Sequence, residues 1–216
     1  MCDLTNPQDK LVALSGIAVA VQHEFGEYVC GMWKGFLPHV LLWEVTLFQQ
    51  KGFQPFRPRQ YRAPSWSWVS IEGIIEYDIC TSCLPTEDAT IKCLISVLDI
   101  VIQAEDLRGV GSVTDGFLRV DGRPAVITWD VDGMPDISGR KVGIVAIKDE
   151  KGVECPATDY DLGWIRFDSI DDLKASSGRV LCLPIVSKYF HRDISENLGE
   201  LHWLLLRGTG RESSSG

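Results

Sequence analysis

A short run in the first third of the chain, Arg62-Ala63-Pro64-Ser65-Trp66-Ser67-Trp68, constrains the fold more than any other segment. Its two tryptophans are two residues apart, and side chains at that spacing share one face of a β-strand. Pro64 has no backbone donor and suits the first position of a strand or a bulge. Paired indoles are large enough to anchor a junction between two structural layers. We therefore predict a strand through Trp66 and Trp68, between a helical opening and a β-rich remainder.

The composition is that of a soluble globular protein. With 216 residues, 45% of them hydrophobic and 24% charged, the chain is long enough to bury one good core. The formal charge of -9 argues against a nucleic-acid surface, which needs clustered lysines and arginines. No stretch approaches the roughly 20 apolar residues that span a bilayer, and the first residues do not form a basic and apolar leader. We therefore expect a cytoplasmic protein that binds neither nucleic acid nor membrane.

The seven cysteines do not form a recognisable metal or redox motif. An odd number of scattered thiols is typical of free cysteines in a reducing compartment. Cys80 and Cys83 form a lone CxxC without a second pair at zinc-finger spacing, and the sequence leaves open whether they act together. The sequence also lacks a glycine-rich phosphate loop after a strand and a Gly-x-Ser-x-Gly elbow. We expect no metal and no cofactor.

The opening segment predicts three helices. Asn6 as N-cap followed by Pro7 at the first helical position predicts the start of the first helix. Gly26 is a suitable stop for it. A second helix is expected to begin near Tyr28, and a third, short helix is expected over Pro38–Trp43.

Behind the tryptophan pair, turn signals separate about eight candidate strands. The segments are Ile74–Ile79, Ile91–Ala104, Phe117–Val120, Ala125–Val131, Val142–Ile147, Trp164–Phe167, Val180–Ser187 and Leu201–Leu206. The turn at Asp121–Pro124 is a hairpin-like signal between two of them. This number of short strands favours an antiparallel barrel or sandwich.

The predicted fold class is therefore α+β, with N-terminal helices packed on a predominantly antiparallel barrel or sandwich. We expect a single domain over residues 1–210, divided into a helical part at 1–60 and a β-rich part at 61–210. Residues 211–216 are rich in serine and are expected to form a disordered tail.

Three blocks in the first third of the chain carry a resemblance. They are Leu4–Ala18; Tyr28–Trp33 with the following Leu37-Pro38 and Leu41-Leu42-Trp43; and Tyr61–Gly73, which includes the tryptophan pair. In this order they resemble the segment that follows the HET domain in fungal heterokaryon-incompatibility proteins. The resemblance implies a fungal source and a shared scaffold, and from Ile74 onward it is only general.

In that family the HET domain lies upstream of the three blocks and is thought to trigger cell death. Met1 stands almost directly before the first block, so we expect the scaffold to stand alone here. A shared scaffold does not by itself settle a function. The resemblance is therefore compatible with a regulator of intact relatives or with a domain recruited to another task.

Three residues are candidates for proton transfer. Glu44 follows an apolar helix, where desolvation would suit it to acid or base chemistry; the alternative is an exposed Glu44, or one paired with an arginine of the 57–62 cluster. Asp99 interrupts an apolar strand, either as a buried functional carboxylate or turned to solvent by a bulge. His191 suits proton transfer near neutral pH, and its alternative role is a structural hydrogen bond.

The candidate substrate-binding residues are mostly aromatic. They are Trp43, Tyr61, Arg62, Trp66, Trp68, Trp129 and Trp203. Such side chains can line an apolar cavity, since a barrel of about eight strands can hold one small ligand. Equally, they can fill the core.

Two classes of function follow from these observations. The favoured one is an apolar small-molecule pocket, with the cofactor-free acid/base chemistry of a cyclase, isomerase or dehydratase acting on a fungal specialised metabolite. The alternative is a non-catalytic interaction module or regulator in heterokaryon incompatibility, paired with a second copy or with a HET-family protein. An exposed apolar patch or an unpaired strand edge would favour this alternative.

Overall fold

The structure is a computed structural model, and it describes residue 6 and residues 9–46, 53–77, 89–104, 112–129, 141–149, 151–153, 164–176, 178–190 and 199–206. These residues form a mixed α+β protein, with few helices and with strands that pair antiparallel. His191, Cys80, Cys83 and the tail at 211–216 lie outside the described residues.

The helical elements are α1 (Lys10–Phe25), α2 (Ile170–Ala175) and short 3-10 helices at Lys34–Phe36, His39–Leu41 and Trp68–Ser70. The strands are β1 (Tyr28–Val29), β2 (Met32–Trp33), β3 (Glu44–Val45), β4 (Ile75–Glu76), β5 (Ala89–Cys93), β6 (Ser96–Ala104), β7 (Val113–Asp121), β8 (Ala125–Trp129), β9 (Lys141–Asp149), β10 (Trp164–Arg166), β11 (Arg179–Phe190) and β12 (Gly199–Leu206). The helices are not confined to the N-terminal part, since α2 lies between two late strands and β1 to β3 lie within residues 1–60.

The first helix ends where the sequence predicts and begins three residues later than predicted. Asp9, and not Asn6, is the residue that precedes α1, and its amide donates to the Asn6 carbonyl at 3.0 Å. Gly26 ends the helix with a φ of 83°, which a residue without Cβ adopts at little cost.

The second predicted helix is wrong, because its residues form the β1–β2 hairpin. Tyr28 pairs with Trp33 and Val29 with Met32, which leaves Cys30 and Gly31 as a two-residue turn. Both turn residues have positive φ, 46° and 88°, as a type I′ hairpin turn requires. The third predicted helix is confirmed in a shorter form, as the 3-10 helix at His39–Leu41.

The predicted strand through Trp66 and Trp68 is also wrong. The chain makes a turn there and then enters the 3-10 helix at Trp68–Ser70. Ser67 explains the difference, because its hydroxyl accepts from the amide of Val69 at 3.1 Å and donates to the Cys30 carbonyl at 2.6 Å. Both indoles nevertheless pack against two separate core clusters.

The largest sheet within the described ranges has six strands. Its order is β10–β9–β8–β11–β12, and β5 also pairs with β11. Strand β5 lies along Val186–Phe190 and strand β8 along Arg179–Cys182, so the two share the edge of β11 that β12 does not use. The described pairings do not join β10 to β12, so a closed barrel is not confirmed. The remaining described pairs, β1–β2, β3–β4 and β6–β7, are separate two-stranded sheets.

Two strand predictions are wrong because the chain passes from one sheet to another at these points. The segment Ile91–Ala104 is divided into β5 and β6 because Leu94 donates to the Ile185 carbonyl at 2.8 Å and Ile95 is buried. The expected hairpin around Asp121–Pro124 is wrong, since β7 pairs with β6 whereas β8 pairs with β9 and β11.

The late strands are confirmed, and a helix appears between them that the sequence analysis missed. Strands β9 to β12 cover the four late segments closely. Of the early segment Ile74–Ile79, residues 74–77 are described, and two of these four form β4. The missed helix, α2, begins after Ser169, whose hydroxyl accepts from the amide of Asp172 at 3.1 Å. This Ser-x-x-Asp spacing is a recognisable N-cap signal.

Candidate functional site

Of the three proton-transfer candidates, the structure describes Glu44 and Asp99, and these two lie in different sheets. Glu44 lies on β3, half-buried, directly opposite Glu76 of β4. The prediction placed Glu44 directly after a helix, whereas it is the first residue of β3. Asp99 lies on β6, in a different two-stranded sheet, and His191 is outside the described residues.

Asp99 is turned to solvent at a strand irregularity, which is the second of the two alternatives predicted for it. The pairing of β6 with β7 shifts register between Val97 and Asp99, which marks a β-bulge or irregularity, and Asp99 is exposed to solvent. Its pairing partner in the register is Arg119, so the carboxylate faces an opposite charge across the sheet. The desolvation that made this residue a catalytic candidate is therefore absent.

The candidate tryptophans pack into the core clusters. Trp43 is buried and its Nε1 donates to the Trp66 carbonyl at 2.8 Å. Trp129 contacts Phe167 edge-to-face at 5.3 Å, and Trp203 packs against the same cluster. The indole nitrogen of Trp66 is buried and has no hydrogen-bond partner among the described residues. These contacts are those of core side chains.

Arg62, a predicted ligand contact, donates hydrogen bonds to the backbone. Its guanidinium is buried; Nε donates to the Val69 carbonyl at 2.7 Å and Nη2 to the Ile71 carbonyl at 3.2 Å. Its Nη1 pairs with the carboxylate of Glu72. The planar fork of an arginine suits several acceptors at once. Tyr61, its neighbour in the candidate set, is 45% exposed.

Lys10 extends this buried charge cluster and attaches the start of α1 to it. Its Nζ donates to the Ile71 carbonyl at 3.0 Å, lies 3.8 Å from Glu72 and sits 5.2 Å from the centre of the Trp68 ring. Burial lowers the pKa of Lys10, and the nearby Glu72 carboxylate opposes that shift. The sequence analysis did not single out Lys10 and Glu72, although both lie within the blocks that carry the resemblance.

The other end of α1 is held by aromatic contacts. Phe25 lies 5.4 Å from the Trp33 ring and 6.2 Å from the Phe36 ring, and Trp33 in turn contacts Tyr28 edge-to-face at 4.8 Å. Together with Lys10 at the start, these rings fix the orientation of the helix. Leu11 and Ala18, seven residues apart, are its buried residues.

The opposite side of α1 is apolar and exposed, and we call it the outward face. It consists of Val12, Ala13, Gly16, Ile17, Val19 and Ala20. Its three large side chains are 47%, 65% and 50% exposed at Val12, Ile17 and Val19 respectively. These positions follow one another at helical spacing, so they form a continuous stripe.

The outward face carries no charge. From Leu11 to Val21 the sequence contains no acidic or basic residue, and its one polar side chain, Ser15, donates to the Val12 carbonyl of its own helix at 2.7 Å. A surface helix ordinarily places charged residues on its solvent side. The absence of charge over eleven residues is a signal for this face that the sequence itself contains.

No protein-family model, curated protein or solved structure matches this chain. Among the described helices, none is long and apolar enough to cross a membrane. The function must therefore be argued from the geometry of the chain itself.

One thiol lies beside a possible base. Cys93 is exposed at the end of β5, and its Sγ is 3.3 Å from Nε2 of His39. Partial burial raises the pKa of the Cys93 thiol, which favours the protonated form. Within the described part of the chain, no group of three or more potential metal ligands comes together. The pair is a local contact without a ligand set around it.

Proposed function

We propose that this chain is a cytoplasmic protein-interaction module, related to the scaffold that follows HET domains, and that it binds a protein partner through the outward face of α1. The observation that carries the proposal is an uncharged apolar face exposed on a helix that is held at both ends. A helix that is apolar on all sides is normally covered on all sides. Contiguous exposed apolar surface typically marks a partner site.

The anchoring of α1 supports binding as well as exposure. Lys10 and Phe25 contact the rest of the chain near the two ends of the helix, so the backbone of the outward face is positioned by contacts within the chain. A preorganised surface loses less conformational entropy on association. Full burial of an exposed Val or Ile side chain contributes about 1.5–3 kcal/mol. The three large side chains are 47–65% exposed, so covering each of them contributes roughly half of that value.

The small-molecule hypothesis has less support. Glu44 and Asp99 lie on different sheets, Asp99 is exposed, and the candidate tryptophans pack into core clusters. Acid/base catalysis requires its groups within hydrogen-bond reach of one substrate. Cyclase, isomerase or dehydratase chemistry on a fungal metabolite therefore stays a prediction from sequence.

A matched pair of substitutions tests the proposal. Ile17 on the outward face is 65% exposed and Leu98 on β6 is 61% exposed, so Ile17→Glu and Leu98→Glu place the same charge at similarly exposed apolar positions. The full chain is analysed by light scattering, alone and mixed with a HET-domain protein from the same organism. We expect Ile17→Glu to raise the dissociation constant at least tenfold for whichever complex the wild-type chain forms through the outward face. Leu98→Glu should change the same constant by less than twofold.

Thermal unfolding of both variants controls for folding, since neither wild-type side chain is buried. The proposal would be overturned if the wild-type chain formed neither a homodimer nor a complex with the HET-domain protein through this face. It would also be overturned by a complex that both substitutions weaken to the same extent.

A further inference from the structure

We infer that two copies of this chain pair edge to edge along β7, with the two strands antiparallel about a two-fold axis at Phe117. The inference is independent of the proposed function, because it concerns a surface other than the outward face of α1. A two-fold axis brings the same surface of both copies together, so the edge must complement itself. The edge of β7, its exposed side and its charge pattern meet that requirement.

The edge of β7 that faces away from β6 has no strand beside it among the described residues, since β6 and β7 form a two-stranded sheet. The amide of Gly116, in the middle of β7, donates to Oδ1 of Asp115 at 2.8 Å, an acceptor on its own strand. An exposed strand edge presents backbone donors and acceptors that a further strand can pair with. A second copy of β7 would supply backbone partners along this edge.

The two sides of β7 differ in exposure. The inner side packs on the rest of the chain, since a Cβ on Gly116 would lie 2.7 Å from Cγ of Pro64. The outer side is exposed, and its residues are Asp115, Phe117, Arg119 and Asp121. Phe117 is 49% exposed. The outer side therefore has a large apolar side chain between charged ones, all open to a partner.

The geometry of a sheet limits the registers that the two copies can adopt. Directly opposite residues in an antiparallel pair lie on the same face, so the axis passes through a residue and not between two. The pairing of β7 with β6 is regular where Asp115–Arg119 lies opposite Asp99–Gln103, between two register shifts. Phe117 is the central residue of this regular stretch, so an axis at Phe117 uses its full length.

The charge pattern selects the same axis. In this register Asp115 of each copy lies opposite Arg119 of the other, and Phe117 lies opposite its own copy. With the axis one residue later, Asp115 would face Asp121, which has the same charge. With the axis one residue earlier, neither Asp115 nor Arg119 would face an opposite charge. Opposite charges and aromatic pairs directly across two strands stabilise their pairing, whereas like charges destabilise it.

Both charged residues can serve a second copy without losing their contacts within the chain. Asp115 uses Oδ1 for the Gly116 amide, and its carboxylate has a second oxygen. Arg119 lies opposite Asp99 in the β6–β7 register. Its guanidinium has five N–H donors in a planar fork, which is enough for two carboxylates. The pairing across the axis therefore adds to the contacts on β7.

A mixing experiment with two charge-reversal variants of the full chain tests the register. Asp115→Arg and Arg119→Asp each place like charges opposite one another in a homodimer, so each should raise the dissociation constant at least tenfold. In an equal mixture of the two variants, a chain with two arginines faces a chain with two aspartates, and both pairs are again opposite in charge. We expect the mixture to form a dimer with a dissociation constant within about threefold of the wild type, measured by light scattering over a concentration series.

Two controls separate the interface from the fold. Arg119→Asp also places a carboxylate opposite Asp99 of its own chain, so the melting temperature of each variant is measured; the mixture contains the same altered chains, and its recovery cannot come from the fold. Asp121→Arg is the matched charge reversal on the outer side. It should change the dissociation constant by less than twofold, because Asp121 faces no charge in this register.

Cysteine cross-linking locates the axis, with the wild-type chain and its native cysteines as the baseline. We expect Phe117→Cys to form a covalent dimer above this baseline on mild oxidation, because residue 117 lies opposite its own copy. Asp121→Cys should stay at the baseline. In this register it lies about 26 Å along the strand from its own copy, beyond the roughly 7 Å limit between the Cα atoms of a disulfide.

The outcomes distinguish this inference from the proposed function. A wild-type chain that stays monomeric, or a mixture that associates no better than the separate variants, would overturn the inference. A dimer that Ile17→Glu weakens and the β7 variants do not would overturn the inference and support the proposed function. A dimer that follows the mixing result, beside a HET-domain complex that Ile17→Glu leaves unchanged, would support the inference and overturn the proposed function.

Discussion

Arg62 is the residue on which the first third of the chain depends most directly. Its guanidinium donates to two backbone carbonyls, of Val69 and Ile71, and pairs with Glu72, all in a buried position. Lys10 shares the Ile71 carbonyl and the Glu72 carboxylate, so the charge of Arg62 also sets the environment of the start of α1. Arg62 therefore connects the start of α1 with the segment that follows the tryptophan pair.

Replacing Arg62 with lysine is expected to lower the free energy of unfolding by about 2–3 kcal/mol. Lysine keeps the positive charge but cannot reach all three acceptors from one ammonium group, so at least one buried carbonyl loses its partner. Chemical denaturation measures the change. Arg59→Lys is the control, because Arg59 is exposed, and it should change the stability by less than about 0.5 kcal/mol. Equal effects of the two substitutions would contradict this assignment.

At the scale of elements, the β1–β2 hairpin shows how packing overrides a local pattern. The segment Tyr28–Trp33 has apolar residues that suit a helix, yet the chain turns at Cys30 and Gly31 with positive φ at both. The Gly31 carbonyl accepts from Nε1 of Trp68 at 2.7 Å, and the Cys30 carbonyl accepts from Ser67. The hairpin and the tryptophan segment therefore determine one another across 37 residues of sequence.

Gly31→Ala is expected to lower the free energy of unfolding by about 2 kcal/mol. The φ of 88° is unfavourable for alanine, and the new Cβ would lie 2.7 Å from Val69 Cγ2 and 2.8 Å from Nε1 of Trp68. Gly35→Ala is the matched control, because the Cβ there has only a contact at 3.8 Å. Thermal unfolding compares the two variants, and a control that is as destabilised as Gly31→Ala would show that the turn geometry is not the cause.

At the scale of the whole molecule, Arg57 joins the first third to the late part of the chain. Its Nη2 lies 2.7 Å from Asp168 and its Nε 3.3 Å from Asp172, while Nη1 donates to Ser70 at 2.7 Å. The Asp172 carboxylate also accepts a hydrogen bond at 2.8 Å from the hydroxyl of Ser169, the N-cap residue of α2. One side chain thereby connects the 3-10 helix at Trp68–Ser70 with helix α2.

A double-mutant cycle between Arg57→Met and Asp168→Asn measures this connection. The pair is about one-third exposed, so solvent screening limits the expected coupling to about 1 kcal/mol. The coupling should decrease at high salt, because charge screening weakens a partly exposed ion pair. A coupling indistinguishable from zero at low salt would mean that Arg57 does not hold the two parts together.

The sequence by itself determined the α+β class, the first helix and the late strands, because caps, helical spacing and β-branched runs act through near neighbours. Arg62, Trp66 and Trp68 were recognised as important, but only the tertiary structure decided that they hold a turn and two core clusters. The pairing of β7 with β6, and the separation of β5 from β6, depend on contacts between residues far apart in sequence. The outward face of α1 belongs to both levels: its lack of charge is a property of the sequence, whereas its exposure depends on which side of the helix the rest of the chain covers.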